Sequence, residues 1–131
     1  MNLNQVTVPA IDVARAAEFY RRLGLLQIVD SLPDYVRFEC PDGEATLSIE
    51  RVDQVAAAPG VVVYFECDDL DARAAALEQA GISFDLGPRD QPWLWREARL
   101  RDPDGNAICL FSAGRNRRFP PWRLDPSPAE D

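Results

Sequence analysis

Residues 6–25 read VTVPAIDVARAAEFYRRLGL, and this stretch decides the fold. Polar and apolar residues alternate over 5–8, which predicts a half-buried strand. Asp12 then occupies the N-cap position of a helix, and Gly24 the left-handed position that ends it. Between them, apolar residues recur at helical spacing, at Val13, Ala16, Ala17, Tyr20 and Leu23. The stretch therefore predicts a strand followed by an amphipathic helix.

Three more strands are predicted after this helix. The first covers Leu25 to Val29 and is followed by a turn at Leu32-Pro33-Asp34. The second runs over 35–40, and a turn at Pro41-Asp42-Gly43 returns the chain through the third, over 45–50. The first half therefore has the order strand, helix and three strands.

The second half of the chain repeats the first. A shift of 57 residues superposes Asp12 on Asp69 and Gly24 on Gly81, and Pro-Asp-Gly recurs after a shift of 62. Internal similarity at a fixed offset indicates a repeated structural unit. We therefore predict two copies of a βαβββ module.

In the second module, a β run over 61–67 precedes the helix that Asp69 caps. Two further extended segments are predicted over 95–101 and 107–111, on either side of Pro-Asp-Gly. The segment AAAPG at 56–60 is predicted to be a linker between the modules.

The predicted modules cover about residues 3–50 and 60–112. Neither module can cover both faces of its own sheet, so we expect one domain over 1–114, followed by a C-terminal tail over 115–131. Two aromatic residues of the tail, Phe119 and Trp122, are expected to dock on the body of the protein or on a second subunit.

The composition excludes most common catalytic chemistries. The chain has 131 residues, no histidine, and 14 basic residues that are all arginine. It therefore lacks an imidazole for acid–base catalysis or metal binding, and a lysine for Schiff-base chemistry. Any reaction must use carboxylates, tyrosine, serine, threonine, cysteine or the backbone.

The net charge and the cysteine spacing exclude several kinds of partner and of stabilising site. A net charge of −8 at pH 7 argues against nucleic acid and against anionic membranes. The three cysteines, Cys40, Cys67 and Cys109, have no CxxC spacing, so neither a disulfide framework nor a zinc site is expected. The first residues lack a signal-peptide pattern, and no apolar run is long enough to cross a membrane. We expect a soluble cytoplasmic protein.

Three stretches together resemble the vicinal oxygen chelate superfamily, which includes glyoxalase I, extradiol dioxygenases and bleomycin resistance proteins. They are residues 6–25, FECDDLDARAAALEQAGI at 65–82 and RDPDGNAICLF at 101–111. The resemblance covers about residues 3–112. It implies an α+β fold in which two βαβββ modules form a cup-shaped mixed sheet, and it also implies a homodimer.

Members of that superfamily that use a metal place one ligand on the first and last strand of each module. The resemblance carries these positions onto Gln5, Ser48, Val62 and Cys109. Valine offers no donor, and an amide, a hydroxyl and one thiol make a poor set for a catalytic divalent ion. We therefore predict that this chain binds no metal in the usual way and needs no cofactor.

Strand parity sorts side chains between the helix side of each sheet and the cup side. The cup-side residues predicted to contact a ligand are Gln5, Thr7, Arg37, Glu39, Ser48, Tyr64, Glu97, Arg99, Cys109 and Phe111. Trp93 and Trp95 are also predicted ligand contacts, and they form either an aromatic wall at the cup or ordinary hydrophobic packing. Arg37 and Arg99 can clamp a carboxylate or phosphate, or they can be solvent-facing charges.

Two carboxylates are candidate catalytic groups. Glu66 lies in an apolar strand on the cup side, so it is either a proton-transfer group or a structural partner of Arg37 or Arg99. Glu50 is the second candidate, near a strand end. Cys109 is expected to be an inert buried thiol, with a nucleophile as the alternative.

Three functions fit these residues. The first is a metal-independent small-molecule-binding protein, similar in mode to the bleomycin resistance proteins, with a ligand held in a polar cup. The second is a lyase, isomerase or epimerase in which Glu66 or Glu50 moves a proton and an arginine stabilises the enolate. The third is a scaffold dimer with a vestigial cup.

Overall fold

Helices and strands follow one another in a repeated order along the chain. The computed structural model describes residues 2–55 and 60–124. In those residues the elements are β1 Gln5–Ala10, α1 Val13–Leu23, β2 Leu26–Ser31, β3 Tyr35–Glu39, β4 Thr46–Arg51, β5 Val62–Glu66, α2 Leu70–Gln79, β6 Leu86–Asp90, β7 Arg96–Arg101 and β8 Ala107–Ser112. A short 3₁₀ helix, Gly114–Asn116, follows β8.

The strands form two four-stranded mixed sheets of identical topology. Their orders are β1-β4-β3-β2 and β5-β8-β7-β6, with the first and last strand of each module paired in parallel. The predicted α+β class and the two βαβββ modules are confirmed. One strand, β6, was missed by the sequence analysis, because Gly87-Pro88 are typical of a turn. β6 accommodates this proline because it is an edge strand with an irregular register.

The helices begin and end as the sequence predicts. The carboxylate of Asp12 accepts a hydrogen bond from the backbone N–H of Arg15, and Asp69 accepts the matching bond from Ala72, both at 3.1 Å. After α1 the chain turns at Gly24, whose φ of 112° is a conformation that favours glycine. These local signals fix where each helix packs on its sheet.

The helix-side faces of both modules contribute to one hydrophobic core. A buried polar contact also joins the modules, because the hydroxyl of Tyr20 on α1 donates to Asp102 at 2.7 Å. Burial, together with the neighbouring carboxylate, raises the pKa of Tyr20, so this hydroxyl stays a donor. The side-chain amide of Asn106 donates both to Asp102 and to the carbonyl of Pro9.

The predicted linker and tail are described only in part. Residues 56–59 and 125–131 lie outside the described residues. The ring of Phe119 is surrounded by three guanidinium groups at 4.5 to 5.7 Å, from Arg115, Arg118 and Arg123. Trp122 is 58% exposed, so it is not buried against its own chain, and docking of the tail on the body or on a second subunit stays a prediction. None of the helices in the described residues is long and apolar enough to cross a membrane.

Candidate functional site

Each sheet has one face that points away from the helices, and strand parity places the predicted cup-side residues there. We call the face on β1, β4 and β3 the first face; it carries Gln5, Thr7, Tyr35, Arg37, Glu39, Ser48 and Glu50. We call the face on β5, β8 and β7 the second face; it carries Val62, Tyr64, Glu66, Glu97, Arg99, Cys109 and Phe111. Their strand neighbours on the helix side, including Val36, Phe38 and Ile49, are fully buried, which is consistent with this division.

A hydrogen-bonded group of three side chains occupies the centre of the first face. The register places Arg37 opposite Ser48, and Tyr35 lies two residues before Arg37 on the same strand. The Tyr35 hydroxyl and the Ser48 hydroxyl are 2.6 Å apart, and Nε of Arg37 donates to the Tyr35 hydroxyl at 2.9 Å. The hydrogen bond to Ser48, and then that from Arg37, lowers the pKa of Tyr35.

Arg37 has no carboxylate partner among the residues the structure describes. Its guanidinium carbon lies 5.5 Å from the centre of the Tyr35 ring. Glu39 and Glu50 are exposed on the same face. The charge of Arg37 is therefore left for a ligand or for solvent.

The outer part of the first face is polar and open. Thr46 on β4 donates from its hydroxyl to the side-chain oxygen of Gln5 at 2.9 Å. Both Gln5 and Thr7 are exposed. They are placed where a ligand lying across β1 would meet them.

The second face is mainly aromatic. The rings of Trp95 and Phe111 are stacked, with centres 4.6 Å apart and planes 19° apart. Tyr64 packs edge-on against both rings, at 6.0 and 5.7 Å, and is itself 45% exposed. Trp95 thus packs on Phe111 and Tyr64 in the single chain, and an aromatic wall that faces a ligand stays a prediction.

A buried ion pair lies beside these aromatic rings. Glu97 is only 3% exposed, and its carboxylate accepts hydrogen bonds from Arg99 and from the indole N–H of Trp93, both at 2.8 Å. Arg99 also lies 5.5 Å from the centre of the Tyr64 ring. Because Arg99 pairs with Glu97, the expectation of a pair with Glu66 is wrong. Glu66 is exposed and makes no ion pair within the described residues.

The four positions at which relatives would hold a metal do not suit one here. Burial raises the pKa of the Cys109 thiol to about 12, so it stays protonated, and its Sγ contacts the carbonyl oxygen of Leu110. The Ser48 hydroxyl is bound to Tyr35, and Val62 offers no donor. In the described part of the chain no three His, Cys, Asp or Glu side chains come together as a possible metal site. The residues at these positions therefore do not fit a metal.

The polar and aromatic side chains of the two faces are not joined within the described part of one chain. Among the described residues, no hydrogen bond, ion pair or aromatic contact joins the first face to the second. A groove of about 860 Å³ reaches Tyr64 and Glu66, and its lining also includes the β3–β4 turn around Pro41 and residues of α2 such as Arg73.

Strand parity puts Tyr35 on the cup side, but it was not among the predicted site residues. Its importance depends on a contact with Ser48, which is 13 residues away along the chain. The signal available in the sequence was the alternation Tyr35, Arg37, Glu39 on one strand face. Cys109 was named as a ligand contact, yet it is fully buried and lies beneath the second face.

This chain belongs to the class of proteins that are built from two βαβββ modules of equal topology. Each module presents one face of its sheet. Residues 2–110 match the sequence profile of the Glyoxalase/Bleomycin resistance protein/Dioxygenase superfamily, so the chain belongs to that superfamily. Among curated proteins, no significant match is found.

Solved structures show the same fold at low sequence identity. A glyoxalase/bleomycin resistance protein/dioxygenase from Nocardioides is 21% identical, with a TM-score of 0.77 over 95% of this chain and 90% of that one. Lactoylglutathione lyase from Agrobacterium tumefaciens is 22% identical, with a TM-score of 0.73 over 90% and 97%. The bleomycin resistance determinant encoded on transposon Tn5 is 22% identical, with a TM-score of 0.72 over 87% and 99%. At these identities the likeness shows the fold alone.

Proposed function

We propose that this protein is a metal-independent small-molecule-binding protein whose ligand lies against the open sheet faces. The observation that carries the proposal is the state of the four metal positions. Their side chains are apolar, protonated or already hydrogen-bonded, while the groups around them offer hydroxyls, a free guanidinium and aromatic surface. Such a mixture of apolar area and a few polar groups is typical of ligand sites.

The two faces supply different parts of the proposed site. The first face offers charge and hydrogen bonds from Arg37, Tyr35 and Thr7. The second face offers the exposed part of Tyr64 and the outer edge of Trp93, which is 42% exposed. A ligand with an anionic group and a planar apolar part matches both.

We also propose that the protein acts as a homodimer in which a face of one chain is opposed by a face of its partner. Support comes from the absence, among the described residues, of hydrogen bonds, ion pairs and aromatic contacts between the two faces of one chain. A second copy would turn two open faces into an enclosed site. Sedimentation equilibrium tests this step: a dimer mass supports it, and a monomer mass at all concentrations contradicts it.

A thermal-shift screen with anionic aromatic and aliphatic ligands tests the proposed binding function. A ligand that binds only the folded state raises Tm, and the stabilisation grows with the logarithm of its concentration once that concentration exceeds Kd. The stabilisation should be lost in Arg37→Gln and kept in Arg22→Gln, which removes an exposed arginine of α1. Equal stabilisation of both variants, or none for any ligand, contradicts the proposal.

A metal-independent lyase or isomerase is the second candidate function. Sequence reasoning assigned proton transfer to Glu66 or Glu50, and both carboxylates are exposed without an ion-pair partner in the described residues. The specific observation that favours this candidate is instead the hydrogen-bonded hydroxyl of Tyr35. A test that separates the candidates is turnover by the protein stripped of metal with chelator, which binding alone would not give.

A further inference from the structure

We propose that the arginine-rich segment after β8 is a binding site for a small multivalent anion of the phosphate class, such as diphosphate. The segment covers residues 115–123. We call Arg115, Arg118 and Arg123, together with the ring of Phe119, the arginine cluster. The cluster belongs to neither sheet face, so the inference goes beyond the proposed ligand site and does not depend on it.

Three guanidinium groups converge on one aromatic ring. Their central carbons lie 4.5 Å (Arg123), 5.3 Å (Arg118) and 5.7 Å (Arg115) from the centre of the Phe119 ring. Each contact is a cation–π attraction, which places a positive charge at the ring without using the N–H donors of the guanidinium. Among the described residues these three side chains make one hydrogen bond, from Nη1 of Arg123 to the carbonyl of Arg118. Most of their donors are therefore available to a ligand.

Backbone and side-chain hydrogen bonds hold the start of the segment in place. It begins in the 3₁₀ helix Gly114–Asn116, and the N–H of Phe119 donates to the carbonyl of Arg115 at 2.7 Å. The indole N–H of Trp95 donates to the carbonyl of Asn116 at 3.5 Å, which attaches the segment to the body of the protein. Such a preformed arrangement lowers the cost of ordering the site when an anion binds.

The described residues supply no carboxylate partner to the cluster. Every ion pair found among them involves an arginine outside the segment, and the arginines of the cluster are exposed. The segment has four arginines and no acidic residue, in a chain whose net charge is −8. Positive charge gathered at one place on an acidic protein attracts anions to that place.

The arrangement suits a phosphate-class anion better than a single carboxylate. A guanidinium donates paired hydrogen bonds to phosphate or carboxylate oxygens. One carboxylate has a single charge and two oxygens, which are satisfied by one guanidinium. Diphosphate has several charges and oxygens on both phosphorus atoms, so it can accept hydrogen bonds from three guanidinium groups at once.

Isothermal titration calorimetry of the full chain with inorganic diphosphate, in metal-free buffer of low ionic strength, tests the proposal. We expect saturable binding at one site per chain, weakened by added sodium chloride because salt screens exposed charges. Acetate, which offers one carboxylate, should bind at least about 10-fold more weakly.

Two neighbouring arginines separate a built site from net charge alone. Arg118→Gln should weaken diphosphate binding by about 10-fold, the usual effect of losing a hydrogen bond to a charged group. Arg117→Gln makes the same change of charge in the same segment, but Arg117 has no contact with the Phe119 ring among those found in the described residues. It should change the affinity by less than about 2-fold. Phe119→Leu keeps every charge and should also weaken binding, because the guanidinium groups lose the ring that gathers them.

The outcomes decide between the cluster and other sites. No saturable binding of diphosphate, or an equal loss in Arg117→Gln and Arg118→Gln, overturns the proposal. A loss in Arg37→Gln with none in Arg118→Gln places the anion at the first face; it overturns the cluster as a site and leaves the proposed ligand-binding function standing.

The acidic end of the chain is the rival occupant of the cluster. Asp125, Glu130 and Asp131 follow the segment and lie outside the described residues. A full-length variant with Asp125→Asn, Glu130→Gln and Asp131→Asn should bind diphosphate within about 2-fold of the wild-type affinity. Binding by this variant and not by the wild type would mean that the chain's own end occupies the cluster, and would overturn the proposal.

Discussion

The first and second faces have the same topology and register but opposite chemistry. Each has an arginine in its third strand, Arg37 or Arg99, opposite a small fully buried residue, Ser48 or Cys109. Two residues earlier the first face has Tyr35, and the second has the carboxylate of Glu97. The first arginine therefore hydrogen-bonds a phenol, while the second forms an ion pair.

This difference leaves Arg37, but not Arg99, without a carboxylate partner among the described residues. Glu97 is buried and forms an ion pair with Arg99, and the stacked rings of Trp95 and Phe111 lie on the same face. On the first face Tyr35 leaves the charge of Arg37 uncompensated. One repeated fold thus carries two faces of different chemistry, because a few side chains that point away from the core differ.

The largest expected effect comes from breaking the aromatic wall of the second face. Phe111→Ala should lower the free energy of unfolding by about 3–5 kcal/mol, because it removes a buried ring that stacks on Trp95. Glu50 occupies the equivalent register position on the first face and is exposed. Glu50→Ala should change stability by less than about 0.5 kcal/mol. Urea denaturation measures both, and similar losses would remove the distinction between the faces.

A smaller difference is expected between the two arginines. Arg99→Met leaves the carboxylate of Glu97 buried without its cation, and we expect a loss of about 2 kcal/mol, reduced from the cost of a fully buried pair because Arg99 is partly exposed. Arg37→Met leaves no buried carboxylate without its partner, so it should lower the free energy of unfolding by less than about 1 kcal/mol. An equal loss in the two variants, measured by urea denaturation, would mean that Arg37 has a buried acidic partner after all.

The smallest expected loss of stability concerns the helix N-caps, which are alike in the two modules. Asp12→Ala and Asp69→Ala each remove a helix N-cap, and each should cost about 1 kcal/mol. Thermal denaturation of the two variants, with Asp30→Asn as a surface control, measures this. Unequal losses would show that the two modules share their topology but that their helix caps contribute differently to stability.

The features predicted correctly from the sequence are those that depend on neighbouring residues. Asp12 and Asp69 act through N–H groups three residues away, and Gly24 through its own backbone conformation. β6 was missed because its existence depends on pairing with β7, which outweighs the turn signal of Gly87-Pro88. Local rules carry no information about such long-range pairing.

The site was predicted only in outline for the same reason. Alternation assigned side chains to a face, but it could not say which of them touch. Arg99 has Glu97 and Glu66 on its face, and it pairs with Glu97, two residues away on the same strand, a local contact that alternation alone does not distinguish from a pair with Glu66. Likewise, the contact of Tyr35 with Ser48 follows from the β3–β4 register, which no single segment encodes.

The central claim is that the protein binds its ligand without a metal, because protonated and hydrogen-bonded side chains stand at the positions where relatives hold one. Elemental analysis of protein purified without chelator, followed by ligand binding before and after dialysis against chelator, tests it most directly. The account predicts trace metal only and unchanged ligand affinity after dialysis. A stoichiometric divalent ion whose removal abolishes ligand binding would contradict it.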